Sequence, residues 1–232
     1  MLRDHHAFAI AIDGPAAAGK STVAKMVAEK LSYIYIDTGA MYRALTLKAL
    51  QCDTQLEDEK ALHKLLNQTN IQLQKVNGDQ LVLLDKEDVT TDIRSPKVTE
   101  NVSLVARHSA VREEMVNRQQ QLANSTGIVM DGRDIGTHVL PNADVKIYLI
   151  ASVYERARRR YEENVEKGIP SDFEELQKEI EKRDELDSSR KASPLMKARD
   201  AIEIDTTPLS IQEAADKILE KVYIVQRKGR DQ

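Results

Sequence analysis

Gly14-Pro15-Ala16-Ala17-Ala18-Gly19-Lys20-Ser21 fits the pattern G-x-x-x-x-G-K-[ST], a spacing that suits phosphate. Its glycines let successive backbone N–H groups turn inward and form a nest for phosphate oxygens. Lys20 is placed to reach the β- and γ-phosphates of a nucleotide, and the Ser21 hydroxyl is a hard oxygen ligand for the accompanying Mg²⁺. The nucleotide-binding stretch is therefore assigned to Gly14, Pro15, Ala16, Ala17, Ala18, Gly19, Lys20, Ser21 and Thr22, with Ser21 as the metal ligand. Such a pattern also arises by chance in loops that bind nothing. Here the apolar run Ala7 to Ile12 precedes it as a strand, and Val23, Met26, Val27 and Leu31 follow at helical spacing, which favours function.

A second set of residues addresses a charge problem. An acceptor that is itself a phosphate has a second pKa of about 6, so it is largely ionised and needs no strong base. Bringing it into line with a nucleotide triphosphate requires positive charge from several elements and a few acids to orient it. Arg43 follows Asp37-Thr38 at the end of a strand, Arg112 lies on a later helix, and Asp131-Gly132-Arg133-Asp134 closes another strand. Arg183, Asp187 and Arg190 recur at i, i+4, i+7, which places them on one helical face; a solvated ion-pair face is the alternative. Arg156, Arg158, Arg159 and Arg160 form the densest basic run, with Arg158 turned away from the other three. At least one of them reads as part of a lid over the donor phosphates, and the run itself does not single out which; a nucleic-acid patch, disfavoured by the negative net charge, or plain surface charge beside Glu162, Glu163 and Glu166 is the alternative.

Several acids keep two readings. Asp131 and Asp134 are equal candidates for the carboxylate associated with Mg²⁺. Asp37 either orients the metal's water shell or pairs with Arg43, and Asp13 caps and orients its turn. Asp205-Thr206-Thr207 either lines an adenine pocket or makes the turn leading into the last helix.

The elements that must position these groups begin β-α-β-α, the signature of a parallel α/β sheet. Strands are expected at Ala7 to Ile12, Tyr33 to Ile36, Gly127 to Asp131, Val145 to Ile150 and Ala201 to Ile204. Helices are expected after Lys20, over Ala40 to Leu50, around 56–68, in two stretches after Pro96, over a charged region from Ser152 to Arg190 broken near Lys167-Pro170, and from Ser210. Ile71 to Val76 alternates apolar and polar, Asn77-Gly78 is a hairpin-turn signal, and Leu81 to Leu84 resumes the strand, so a small antiparallel hairpin is inserted.

Bulk properties exclude some classes. A net charge of −4 attracts neither nucleic acid nor an anionic membrane, so an anionic ligand needs local clusters of positive charge. No apolar run approaches the ~18–20 residues of a membrane span. One cysteine, Cys52, allows no internal disulfide, and the five histidines show no metal-ligand spacing; a cytoplasmic monomer without an obligate protein partner is expected. No Asn-Lys-x-Asp guanine-reading stretch is present.

Asp37-Thr38-Gly39-Ala40-Met41-Tyr42-Arg43, Asp131-Gly132-Arg133-Asp134-Ile135-Gly136-Thr137 and Arg183-Asp184-x-x-Asp187-x-x-Arg190 together resemble bacterial cytidylate kinases, and the similarity runs from the first strand to the last helix. The resemblance implies a P-loop NTPase α/β core: a five-stranded parallel sheet of order 2-3-1-4-5 flanked by helices. To this are added a monophosphate-binding insertion with a small antiparallel element (about 38–106) and a short helical lid (about 153–171), all within one kinase domain, 1–232. It implies ATP with Mg²⁺ as donor and CMP or dCMP as acceptor. By position, the monophosphate-binding groups fall on Thr38, Arg43, Ser103, Arg112, Arg133, Asp134, Arg183, Asp187 and Arg190. Catalytic roles fall on Lys20, Arg133, Asp134 and Arg159.

Overall fold

The computed structural model describes residues 8–76, 78–123 and 127–230. Strand β1 (Ala9–Asp13) is buried along its whole length and leads through the glycine loop into α1 (Lys20–Leu31). Then come β2 (Ile34–Asp37), α2 (Thr38–Gln51) and α3 (Glu59–Gln68), followed by β3 (Ile71–Val76), β4 (Asp79–Leu84) and β5 (Glu87–Asp88). Helices α4 (Pro96–Ala106) and α5 (Ser109–Leu122) return the chain to β6 (Ile128–Gly132) and β7 (Val145–Ile150). The charged region forms α6 (Val153–Glu166) and α7 (Phe173–Ser189), and β8 (Ile202–Asp205) and α8 (Ile211–Arg230) close the chain.

Five strands form one parallel sheet in the order β2-β6-β1-β7-β8. Counted along the chain within that sheet, this is 2-3-1-4-5, as the resemblance implied. Alternation on β1 fills both faces. Ile10 and Ile12 pack with Val23 and Val27 of α1 and Ile218 and Val222 of α8, whereas Ala9 and Ala11 pack with Ile36, Met130 and Ile135. Gly14 leaves β1 so close to β7 that a side chain would overlap the Leu149 carbonyl oxygen, and its φ of +151° also favours glycine. Parallel strands end on one edge of the sheet, so the glycine loop, Asp37 and Asp131 gather there.

The insertion is a separate antiparallel sheet, β3-β4-β5, packed on α2 through Val82, Leu84 and Ile71. Asn77 of the expected turn lies outside the described residues. No local pattern in the sequence announces β5. Its turn, Asp85-Lys86, carries no glycine, although both residues adopt the left-handed region (φ 51° and 79°). Asp85 holds the turn by accepting the Asn70 N–H at 2.8 Å and pairing with Lys48 at 2.8 Å. A second difference concerns Arg190: α7 ends at Ser189, and Arg190 is extended (φ −62°, ψ 141°). The i+7 face is therefore not helical to its end, and Arg190 reaches the site from the turn beyond it. Among the described residues no helix is long and apolar enough to cross a membrane.

Asp13 fastens β1 to the segment after β6, a π-type turn at Ile135–Val139 that no local pattern announces. Its buried carboxylate accepts the N–H groups of Ile135 (2.8 Å) and Gly136 (2.7 Å). It therefore orients the turn after β6 rather than its own. Burial raises its pKa from 3.8 to about 6, against the lowering effect of the two N–H bonds. The folded carboxyl thus holds its proton more tightly than the unfolded chain does. Its contribution to stability is fully present below pH 3.8 and is lost as pH rises through about 6. Urea unfolding of the wild type and Asp13→Asn will show it: the wild type loses about 3 kcal/mol relative to the variant across that window. A difference independent of pH would contradict this account of Asp13.

Candidate active site

The donor side is built by the β1–α1 loop. Gly19, at φ +82°, occupies the position before α1, so the helix opens on Lys20 with its free N–H groups facing the loop. Lys20 is buried and its Nζ donates to the Pro15 carbonyl at 2.6 Å. Burial, and then Arg133 nearby, push its pKa down. Ser21 Oγ donates to Asp131 Oδ2 at 2.9 Å, and the Tyr35 hydroxyl donates to Asp131 Oδ1 at 2.8 Å. Burial pushes the Asp131 carboxyl up, and Asp37 adds to this. The structure thus brings Asp131 to Ser21, whereas Asp134 is engaged elsewhere. A hydroxyl and a buried carboxylate side by side are hard oxygen donors that fit Mg²⁺. Tyr35, which the spacing marks only as part of a strand, belongs to this group. Only the register of β2 on β6, which sets Asp37 opposite Asp131, brings it there.

Beside the donor loop lies a cavity lined by Thr38, Gly39, Tyr42, Val102, Ser103, Ala106, Arg112, Gly132, Arg133, Asp134, Arg183, Asp187 and Arg190. Helices α2, α4, α5 and α7 and the end of β6 each contribute. Two aspartates organise the arginines. Asp134 pairs with Arg112 at 2.5 Å and with Arg190 at 3.7 Å. Asp187 pairs with Arg133 at 2.9 Å and Arg190 at 3.8 Å, and accepts from Ser103 Oγ at 3.2 Å. Burial pushes the Asp187 carboxyl up, but Arg133, Arg183 and Arg190 outweigh it and hold the carboxyl below its usual range. Arg112 also lies over the Tyr42 ring, 5.3 Å from its centre, a cation–π contact.

Arg183 differs from the other three. It makes no hydrogen bond or ion pair with any described residue, its Nε is buried without a partner, and burial followed by Arg133 brings its pKa down to about 10. Arg43, expected in the same set, stands outside the cavity lining, with its guanidinium bonded to Thr99 Oγ1 (2.8 Å) and the Ile93 carbonyl (3.3 Å). Burial and then Arg183 lower its pKa to about 9. Asp37 caps α2 through the Ala40 N–H and pairs with Arg94 at 3.7 Å rather than with Arg43. Thr38 Oγ1 donates to the Asp131 carbonyl at 2.7 Å, against Gly132, where a side chain would collide with it.

The basic run divides by role. Arg158 is half-exposed and pairs with Glu155 and Glu162, and Arg160 pairs with Glu163 at 3.5 Å. Arg159 donates to the Thr206 carbonyl at 2.6 Å and reaches the flank of Gly19. The Thr206 hydroxyl lies within hydrogen-bond reach of the Ala18 and Ile150 carbonyls, so the turn after β8 braces the donor loop. Arg156 is buried and bonded to the Ala16 carbonyl of the loop (3.1 Å).

The Arg112–Asp134 pair sets a stability expectation. Its side chains are only 3% and 6% exposed, so removing one charge strands the other in a medium that solvates it poorly. Asp134→Asn will lower the urea unfolding free energy by about 3 kcal/mol. An unchanged value would contradict this and mean that Asp187 and solvent compensate Arg112 and Arg190 for the lost carboxylate.

Residues 10–223 match the family model described as "Cytidylate kinase". The chain is 64% identical over 213 residues to the "Cytidylate kinase" of Bacillus subtilis (strain 168), covering 92% of this chain and 95% of that one. It is 63% identical over 213 residues to the "Cytidylate kinase" of Geobacillus kaustophilus (strain HTA426), with the same coverage. The crystal structure of an uncharacterized protein from Eubacterium ventriosum ATCC 27560 aligns over 93% of this chain and 98% of its own, with a TM-score of 0.51 and 13% identity, a likeness of fold alone. A family match across nearly the whole chain, joined to a phosphate loop beside a cavity of arginines, shows that this chain belongs to the cytidylate kinase family.

Proposed function

We propose that the chain transfers the γ-phosphate of Mg·ATP to CMP and dCMP, giving CDP or dCDP and ADP. The observation that carries this reading is the charge of the cavity. Four arginines, Arg112, Arg133, Arg183 and Arg190, face two aspartates, Asp134 and Asp187, which leaves an excess of two positive charges. A phosphate monoester carries about −1.5 to −2 near pH 7 and neutralises that excess. A hydroxyl acceptor would leave it uncompensated.

Each group has a role in this reading. The backbone N–H groups of Gly14 and of Ala16 to Thr22, with the Lys20 and Ser21 side chains, hold the donor phosphates, and Arg159 closes on them beside Gly19. Ser21, with Asp131 behind it, would hold Mg²⁺, which shields the donor phosphates when bound. Arg183 and Arg133 grip the acceptor phosphate, with Arg43 and Thr38 behind them. Ser103, Arg112, Asp187 and Arg190 read the cytosine edge and the sugar, and Asp134 holds Arg112 and Arg190 in place. An acceptor oxygen attacks the γ-phosphorus as its bond to the β–γ bridging oxygen breaks, and ADP carries that electron pair away. The attacking oxygen is already ionised, so no strong base is needed; positioning and positive charge lower the barrier. Arg133 contributes to both sides, since its field reaches Lys20 while its Nε is bonded to Asp187. Closure of the regions 38–106 and 153–171 would exclude water, and the enzyme would act as a monomer in the cytoplasm.

ADP formation by the purified protein with Mg·ATP, measured against CMP, dCMP, UMP, AMP, GMP and dTMP in turn, tests the reading. Strong turnover is expected with CMP and dCMP, and Lys20→Ala should reduce it at least about a hundredfold. Turnover with another nucleotide alone would overturn the cytosine assignment. Near wild-type rates in Lys20→Ala would overturn the donor site.

A further inference from the structure

Arg156 joins parts of the molecule that the reaction treats as separate. It is 4% exposed, and each nitrogen of its guanidinium is engaged. Nε donates to the Ala151 carbonyl at the base of α6 (3.0 Å), and Nη1 donates to the Ala16 carbonyl in the donor loop (3.1 Å). Nη2 pairs with Asp184 of α7 at 2.6 Å. A trans peptide unit is planar, so holding the Ala16 carbonyl toward Arg156 aims the Ala17 N–H the opposite way. One amide of the loop thereby has its direction set from outside the loop.

Asp184 stands next to Arg183 and one helical turn before Asp187, both of which line the acceptor cavity. A helix turn moves as a unit, so a displacement at Asp184 is carried to its neighbours. The other carboxylate oxygen of Asp184, Oδ1, is buried without a partner among the described residues. Among the described residues, Arg156 is therefore the one hydrogen-bond or ion-pair partner of this side chain. Lysine could supply the charge for Asp184 but not the planar fork that also reaches the Ala16 and Ala151 carbonyls.

We propose that Arg156 and Asp184 are a positioning pair that couples occupancy of the donor loop to affinity in the acceptor cavity. Neither residue need touch the reacting atoms: phosphates seated in the loop fix the Ala16–Ala17 peptide, Arg156 and Asp184 follow, and Arg183 and Asp187 are set for the acceptor. The inference rests on the acceptor reading given above.

Calorimetric titration of CMP, with and without Mg²⁺ and the β,γ-imido analogue of ATP, measures the coupling directly. In the wild type the analogue should tighten CMP binding at least about fivefold. In Asp184→Asn and Arg156→Lys that ratio should fall to about one, while CMP affinity without the analogue stays within about twofold of wild type. Asp184→Glu, which keeps the charge, should restore most of the ratio. Should Asp184→Asn fail to fold, Arg156→Lys carries the test, since it retains the buried charge. Variants that lose thermal stability yet keep the wild-type ratio would show a purely structural pair and overturn the proposal, as would a wild-type ratio of one. A wild type that binds the analogue but no CMP would instead overturn the acceptor reading beneath it.

Discussion

Four guanidinium groups share one cavity with two carboxylates, and most of the surrounding architecture serves to hold that arrangement together. Packed like charges repel, and burial removes the water that would screen them. Asp134 and Asp187 offset part of this by bridging between arginines: Arg190 leans on both, Arg112 on the first and Arg133 on the second. The excess charge remains on the side of Arg183, whose guanidinium has no described partner. Elements far apart in sequence must meet for this to happen. The parallel sheet brings the end of β6 beside the glycine loop, and α2, α4, α5 and α7 close the cavity around it.

The donor side follows the opposite sign of the same logic. There the buried carboxylates are Asp13 and Asp131, and burial raises both. Asp13 is satisfied by two backbone N–H groups and serves the backbone path alone. Asp131 accepts from two hydroxyls, Ser21 and Tyr35, a gentler compensation that leaves it receptive to a cation. Lys20, pushed down by burial and by Arg133, is likewise a cation that gains from the arrival of an anion. Both halves of the site thus hold buried charges that a bound ion of opposite sign stabilises.

Much of this was legible in the sequence. The glycine loop and the five core strands follow from local spacing, because each is a short-range signal, whereas the grouping of the arginines rests on the family resemblance. Pairing was not legible. Whether Asp131 or Asp134 faces Ser21 depends on the register of β2 and β6, and local spacing leaves both open. Tyr35 looked like an ordinary strand residue for the same reason. Arg190 was placed on a helical face, yet α7 stops one residue short of it, and no glycine or proline marks that stop. Strand β5 was hidden because Asp85 and Lys86 take a left-handed turn without glycine, supported by Asn70 and Lys48 from outside the hairpin. Helical spacing turns Arg158 away from Arg156, Arg159 and Arg160, but only the packing shows that Arg156 alone of the four is buried against the donor loop.

On the proposed reading, this cavity is organised around a phosphate rather than around a base and sugar alone. Calorimetric comparison of CMP with cytidine, which differs only by that phosphate, tests it most directly. Charge-assisted hydrogen bonds to two arginines, each worth about 1.5–3 kcal/mol, predict that CMP binds at least about a hundredfold more tightly. Equal affinity for the two would contradict the account.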